Sequence, residues 1–381
     1  MTSETAFGPQ ERTLLDDSMR EYFKDNYRFE HFQSITTQPD GEGLSRSQWQ
    51  TYADMGWLGI ALPESAGGTG GGMTELGILL ANVGRHLVLE PFIAHSVIAM
   101  EAIVQLGTLA QRESLLPDAA NGQRMLGFAH YEHDSGYARD HVTTRAQRTS
   151  DGYELTGQKA FALHNHAADM LLISARVGSE DDAPVCLFLL DRNADGVELA
   201  VAPALDMRKG AAVSLQAAGV PTSALLGEVK QDGSAQIDAL LDRGAIAVCA
   251  EAIGAMTQVT ELTVDYLKSR KQFGRPLSEF QVLQHRLVDM SIHNEESRAT
   301  IGAALQAIDE DPTSARELVW RAKVQTARSA HFVGGQGVQL HGGMGMTNEL
   351  AIGHFYKRLN VCETQFGDAR WYLSQLSALE S

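Results

Sequence analysis

The chain has 381 residues, with 31 Lys and Arg against 48 Asp and Glu and a formal charge of −17. At 44% hydrophobic and 21% charged it has enough apolar material for a large core, and its length exceeds one ordinary domain, so roughly two or three packed units are expected. The acidic balance argues against nucleic acid, whose phosphates demand a basic surface, and no run approaches the roughly eighteen uncharged apolar residues of a membrane span.

The first residues lack the basic and apolar regions of a secretory signal. Cys186, Cys249 and Cys362 are odd in number and far apart, so they suggest neither a disulfide framework nor a CxxC metal pair. A cytoplasmic enzyme is the expectation. From about residue 8 to 125 the pattern is helical, with apolar positions three and four apart in Leu14, Leu15, Met19, Tyr22 and Phe23, and again in Leu76, Leu80, Val83 and Leu87. Gly67, Gly68, Gly70, Gly71 and Gly72 break it. They lack the Lys-Ser/Thr of a phosphate loop and read as an interhelical connection. From about 126 to 230 short strands are expected at Val142–Ala146 and Tyr153–Thr156, flanking the turn Ser150-Asp151-Gly152, and at Met170–Ala175 and Val185–Leu190. From about 235 helix returns. Ile246, Cys249, Ile253 and Met256 form a bundle-lining stripe, and Phe280–Ile308 and Thr313–Val333 read as long helices. The reading is an α+β chain: a helical domain at 1–125, an antiparallel β domain at 126–232 and a four-helix bundle at 233–381.

Two motifs fall in the last region. The run Tyr266-Leu-Lys-Ser-Arg-Lys-Gln-Phe-Gly-Arg-Pro-Leu-Ser-Glu-Phe-Gln-Val-Leu-Gln-His285 closely resembles the C-terminal signature of flavin-dependent acyl-CoA dehydrogenases, and Gln339-Leu-His-Gly-Gly-Met-Gly345 resembles that family's second signature. Gly56-Trp-Leu-Gly-Ile-Ala-Leu-Pro-Glu64 followed by Gly67-Gly68, and Gly157-Gln158-Lys159 followed by Ala168-Asp169, resemble its first two domains. The resemblance covers nearly the whole chain. It implies a dimer of dimers with FAD at subunit interfaces, an acyl-CoA substrate and electron-transfer flavoprotein as acceptor. A carboxylate would take the α-proton while the β-hydride passes to the flavin.

The resemblance also implies an ADP clamp on the neighbouring subunit's cofactor, made of Arg270, Gln272, Phe273, Leu277, Phe280, Gln281, Gln339, Gly342 and Gly343. Arg270 offers a fork of donors for a pyrophosphate, Phe273 a flat apolar surface, and Gly342 and Gly343 a backbone with no side chain to collide. Taken singly, Arg270 could pair with a helix carboxylate and the glycines could form a helix C-cap.

The chain departs from the family at the chemistry. Counting ungapped from Gly343 places the usual base at Phe366, and counting back from Arg270 places the alternative base at Gly244; neither takes a proton. Beside the flavin ring, Phe161 and Leu163 stand for a tryptophan and a threonine, Asp368, Ala369 and Arg370 replace small hydroxyl and amide residues, and Tyr131-Glu132-His133-Asp134-Ser135-Gly136 fits only loosely. Some bacterial members linked to steroid and bile-acid side-chain catabolism resemble this chain and form α2β2 heterotetramers in which one subunit carries the base. The expectation is that this is the other subunit. A self-sufficient enzyme with a relocated base, Glu251 or Glu363, is the alternative; in the plainer reading Glu251 faces a helix neighbour and Glu363 pairs with Arg358 or Lys357. A flavin-free scaffold is the third. His164-Asn165-His166 reads as an exposed β-turn rather than a metal site, His130, His133 and His141 call for the same caution as metal ligands, and His354, Lys357 and Arg358 lie either near the CoA or interface region or on a solvated helix face.

Overall fold

The computed structural model describes residues 7–227, 232–312 and 314–379. They divide into two compact units. One comprises the chain up to Thr37, Met73–Val88 and everything from Ala245 on; the other comprises Gln38–Gly72 and Leu89–Gly244.

The first unit is helical: α1 (Pro9–Asn26), α2 (Phe29–Thr36), α4 (Met73–Arg85), most of α7 (Ser234–Ser269), α8 (Gln281–Glu310), α9 (Arg316–His341), α10 (Ala351–Thr364) and α11 (Ala369–Leu379). The expected stripe of Ile246, Cys249, Ile253 and Met256 lies buried on α7, as do Met19 and Phe23 on α1 and Leu76, Leu80 and Val83 on α4. Of the helix expected at Thr313–Val333, α9 covers all from Arg316, and Thr313 lies outside the described residues. Two glycines set how α4 meets α7. A Cβ on Gly84 would stand 1.8 Å from the Glu251 carbonyl oxygen, and one on Gly254 would stand 1.7 Å from that of Ala81. The helices therefore touch backbone to backbone, which only glycine permits.

The second unit holds α3 (Arg46–Asp54), a seven-residue π-helical stretch (Ile93–Ala99) running into α5 (Met100–Leu106), α6 (Leu109–Ala120), a seven-stranded sheet and the first part of α7. The strands are β1 (Leu126–Ala129), β2 (Arg145–Arg148), β3 (Gly152–Leu163), β4 (Met170–Val177), β5 (Val185–Asp191), β6 (Val197–Pro203) and β7 (Lys209–Pro221), in the order β1-β4-β2-β3-β7-β6, with β5 also on β4. The expected antiparallel sheet is corrected to a mixed one: β1 and β2 both run parallel to β4, in register Leu126↔Met170 and Arg145↔Arg176. The cause is the buried character of β1 and of the middle of β4, since parallel strands need both faces covered. Along β7 burial alternates from Ala211 to Gln216 and again from Ala218 to Pro221, with a slip at Ala217 (φ 52°), but its many small residues hide the period in the sequence, and in β6 only Val197 and Leu199 are half-buried.

No helix among the described residues is long and apolar enough to cross a membrane. The three cysteines are free and buried. Among the described residues no group of three His, Cys, Asp or Glu could hold a metal ion.

Candidate functional site

The two signature motifs meet at one end of the helical unit. Tyr266, in the last turn of α7, stacks on His341 at the end of α9 (ring centroids 4.3 Å apart) and its hydroxyl donates to the His341 carbonyl at 3.3 Å. That contact sets the last turn of α7, just before Arg270, against the last turn of α9, just before Gly342. Beyond α7 the chain forms a hairpin, β8 (Lys271–Gln272) and β9 (Arg275–Pro276), closed by the Leu277 N–H on the Arg270 carbonyl at 2.9 Å. Its two-residue turn is Phe273 (φ 55°) and Gly274 (φ 80°), both left-handed as a tight hairpin of this kind demands.

The turn lifts Phe273 into solvent: the residue is 88% exposed, and its ring meets that of Phe280 edge-on, 6.0 Å away between centroids. Arg275 lies over the other ring, 4.1 Å from the Phe280 centroid. Arg270, Gln272, Gln281 and Gln339 are exposed, Leu277 is half-buried, and the Arg270 guanidinium has no ion pair among the described residues. The helix-carboxylate alternative for Arg270 is therefore not what the structure has. Gly342 caps α9 with φ 60° and ψ −144°, a conformation that side chains resist. No atom lies within 4 Å of a Cβ built on Gly342 or Gly343, so any close approach across them comes from a group outside the chain. An exposed cation, a solvent-facing aromatic ring, two amides and a bare glycine backbone fit the phosphates and ring of an ADP-like group.

The base positions are different. Phe366 sits in a turn between α10 and α11 with φ 59°, and Gly367 follows at φ 122°. Tyr372 holds the turn by donating its hydroxyl to the Phe366 carbonyl at 2.7 Å, while a Cβ on Gly367 would stand 2.7 Å from the Tyr372 ring. Gly244 is buried in α7.

The two spare carboxylates are committed or enclosed. Glu251, 1% exposed, pairs with the fully buried Arg358 at 2.8 Å, and Arg358 also donates to the Val88 and Leu87 carbonyls at 3.1 and 3.5 Å. Arg358 thus belongs to Glu251 and not to Glu363, and with His354 also buried, that face of α10 is not the solvated one expected. Half-buried Glu363 lines a cavity of about 10 Å³ with Cys249, Thr326, Cys362 and buried Lys323, whose ammonium donates to the Cys362 carbonyl at 2.6 Å. Burial pushes the Lys323 ammonium below its ordinary range.

In the sheet unit the segment Tyr131–Gly136 is fixed by a buried polar cluster that sequence reasoning missed. Glu132 accepts from the Thr143 and Thr144 N–H groups (2.7 and 2.9 Å), from both their hydroxyls (2.5 and 2.6 Å) and from the Lys159 ammonium at 2.7 Å. Lys159 also donates to the His130 carbonyl and the Ser174 hydroxyl, each at 3.1 Å. Burial alone would raise the Glu132 carboxyl, but the ammonium beside it and the hydroxyl donors hold it at about 2; burial drives Lys159 down to about 8. The available signal was the position of Lys159 in β3, in period-two step with the buried Tyr153 and Leu155. Nearby, Phe161 is 42% exposed and Leu163 half-buried. His164-Asn165-His166 is a turn but not an exposed one. His164 is buried with Nε2 on the Leu89 carbonyl at 2.8 Å, and Asn165 accepts from the Phe128 N–H at 3.1 Å.

This geometry agrees with the comparisons to known proteins. Residues 9–123 match the family described as acyl-CoA dehydrogenase, N-terminal domain, and residues 231–373 match acyl-CoA dehydrogenase, C-terminal domain. The chain belongs to the acyl-CoA dehydrogenase family. It is 27% identical over 352 residues to the acryloyl-CoA reductase (NADH) of Anaerotignum propionicum, covering 88% of each chain. Among solved structures it resembles the Tcur3481-Tcur3483 steroid ACAD at 30% identity and a TM-score of 0.87 over 97% of both chains. The ChsE4-ChsE5 complex of Mycobacterium tuberculosis shares the fold, with a TM-score of 0.87 at 24% identity over 98% of both chains. As a member of this family the chain is of the oxidoreductase class that acts on the CH–CH bond of acyl-CoA thioesters.

Proposed function

We propose that this chain is the subunit without a base in an acyl-CoA dehydrogenase built from two unlike subunits, and that it contributes an ADP clamp to FAD seated mainly in its partner. The observation that carries the reading is the contrast between the two ends of the site. The end with Arg270, Phe273 and Gly342–Gly343 is open, cationic and aromatic, whereas Phe366, where the resemblance expects the base, lies on a turn to which Tyr372 donates its hydroxyl.

When bound, FAD supplies the hydride acceptor for α,β-dehydrogenation. The rest follows from residues of this chain. Arg270 offers two parallel N–H donors to a phosphate, Gln272 and Gln339 offer amide donors, and Phe273 covers an adenine-like face. The Phe366 side chain is hydrocarbon and takes no proton, and the neighbouring Asp368 carboxylate caps α11 by accepting from the Trp371 N–H at 2.8 Å, so this reading assigns removal of the α-proton to a carboxylate of the partner. Likeness to a steroid ACAD at 30% identity supports a bulky, ring-bearing acyl group. Electron-transfer flavoprotein in the cytoplasm is the acceptor that goes with this reading.

The test is flavin stoichiometry with turnover. The chain is purified alone and with a co-expressed acyl-CoA dehydrogenase-like partner that carries the glutamate, and FAD per polypeptide and oxidation of a bulky acyl-CoA are recorded. The expected result is a flavin-poor, inactive chain that gains one FAD per two polypeptides and turnover with the partner. Arg270→Ala in this chain should then strip FAD from the complex although it touches no base. A lone chain with full flavin and turnover overturns the proposal, and flavin content unchanged by Arg270→Ala overturns the clamp.

A further inference from the structure

The hairpin beyond α7 sorts its side chains onto two faces. Its ladder pairs Gln272 with Arg275 and Lys271 with Pro276, and the bond from the Leu277 N–H to the Arg270 carbonyl extends the same register by one residue. Successive residues of a strand point to opposite sides. Arg270, Gln272 and Arg275 therefore share one face, and Lys271 and Pro276 share the other. Arg270 and Arg275 are diagonal neighbours on their face, at the roughly 7–8 Å over which long side chains of paired strands still meet.

Arg275 is exposed but oriented. Its guanidinium carbon lies 4.1 Å from the centroid of Phe280, a ring that also meets the edge of Phe273 and whose backbone N–H is held by the Leu277 carbonyl at 3.1 Å. A guanidinium stacked in this way uses its flat face and keeps its N–H edge. Among the described residues the Arg275 side chain makes no ion pair or hydrogen bond, so its five donors stay open. Arg270 is in the same condition, and the exposed carboxylate nearest in the chain, Glu279, pairs with neither. Two cations side by side without a carboxylate repel each other. They suit an anion with two charged groups a few ångström apart, whereas a single phosphate or carboxylate would fill only one fork.

We propose that Arg275 is the second cation of the ADP clamp. With Arg270 it takes the two phosphates of the diphosphate, one guanidinium to each, and Phe280 is the positioning residue that aims it. The inference rests on the clamp proposed above and adds to it a residue and a charge that the two signature motifs do not single out.

The test uses the complex with the co-expressed partner. FAD is removed and rebound, with flavin fluorescence read against FAD concentration at several salt concentrations. R275Q should weaken FAD binding roughly 10- to 100-fold, as loss of a charged hydrogen bond does, and its gap from wild type should narrow as salt rises. R275K keeps the charge without the fork and should fall between the two. F280L should weaken binding less than R275Q, and R275Q should do less harm in an F280L background than in wild type, because the ring acts through the arginine. With AMP and ADP as competing probes, ADP should displace FAD more readily than AMP does, and R275Q should narrow that preference. R20Q removes an equal charge from the exposed side of α1 and should leave FAD binding as it is. If Arg270→Ala strips FAD while R275Q binds it as tightly as wild type, Arg275 lies outside the clamp although the clamp stands. If Arg270→Ala leaves FAD in place, the clamp itself fails and this proposal with it. A loss in R275Q that is equal for AMP and ADP, or indifferent to salt, assigns Arg275 to the packing of the hairpin and overturns the proposal.

Discussion

Replacing Glu251 by glutamine separates its structural role from a catalytic one. The carboxylate is 1% exposed and 2.8 Å from the Nη1 of a fully buried arginine that also donates to the Val88 and Leu87 carbonyls. Removing one member of such a pair leaves a buried charge without its counter-ion, at a cost of about 3–5 kcal/mol; glutamine keeps an acceptor, so about 3 kcal/mol is the expectation. At about 2.1 cal/mol/K of unfolding entropy per residue, 381 residues melting together give about 0.8 kcal/mol/K, and the midpoint falls by about 4 °C. If the helical unit melts alone, the entropy is roughly halved and the fall is about 8 °C. Scanning calorimetry measures it. The double change E251M/R358M should recover part of the loss, because an apolar pair removes both charges but leaves the Leu87 and Val88 carbonyls without donors. Turnover of the complex at a temperature where both forms are folded should be unchanged. A midpoint within 1 °C of wild type together with lost turnover would refute the argument and make Glu251 a base.

The remaining predictions concern the other buried groups. Lys159→Met should destabilise the sheet unit by about 3–5 kcal/mol in denaturant unfolding, because it strands the Glu132 carboxylate, and E132Q/K159M should be less damaging than K159M alone. The acid limb of stability should begin near pH 6.5: His86 and His95, lowered by burial to about 4, stay neutral in the fold while the unfolded chain takes up protons, so stability present above pH 6.5 is lost as pH falls toward 4. Glu132 adds a second loss from about pH 4.5 down to about 2, and midpoints measured against pH should show E132Q flattening only that lower part. Gly342→Ala should cost about 1–3 kcal/mol from its backbone conformation alone and should lower FAD retention in the complex. Tyr372→Phe should cost about 1 kcal/mol through loss of its bond to the Phe366 carbonyl, read as a small midpoint shift.

Much of the architecture was visible in the residues because helices write a long period. The α7 stripe from Ile246 to Met256 and the α4 stripe from Leu76 to Val83 needed no tertiary information. The parallel β1–β4 pair was not legible, because burial on both faces erases alternation and strand direction depends on the long return through residues 130–169, which include β2 and β3. The clamp was legible as residue types but not as a place: only the Tyr266–His341 stack shows that segments about seventy positions apart share one end of a bundle. The fate of Arg358 was illegible for the same reason. A cation four residues from His354 looks like a surface helix, and only packing reveals that it reaches back across to Glu251.

The hairpin turn at Phe273 has a consequence for how such a subunit must be made. A bulky hydrocarbon ring standing 88% in water gives nothing to the monomer's own folding and invites chance association with any other apolar surface it meets. A chain of this design is at its most vulnerable between leaving the ribosome and finding the group that covers the ring. In the two-subunit assembly proposed above, supply of both chains in matched amounts becomes a condition of yield as much as of activity, and the chain expressed by itself, although it folds and can be purified, should lose a larger share of its material to the insoluble fraction than it does when co-expressed.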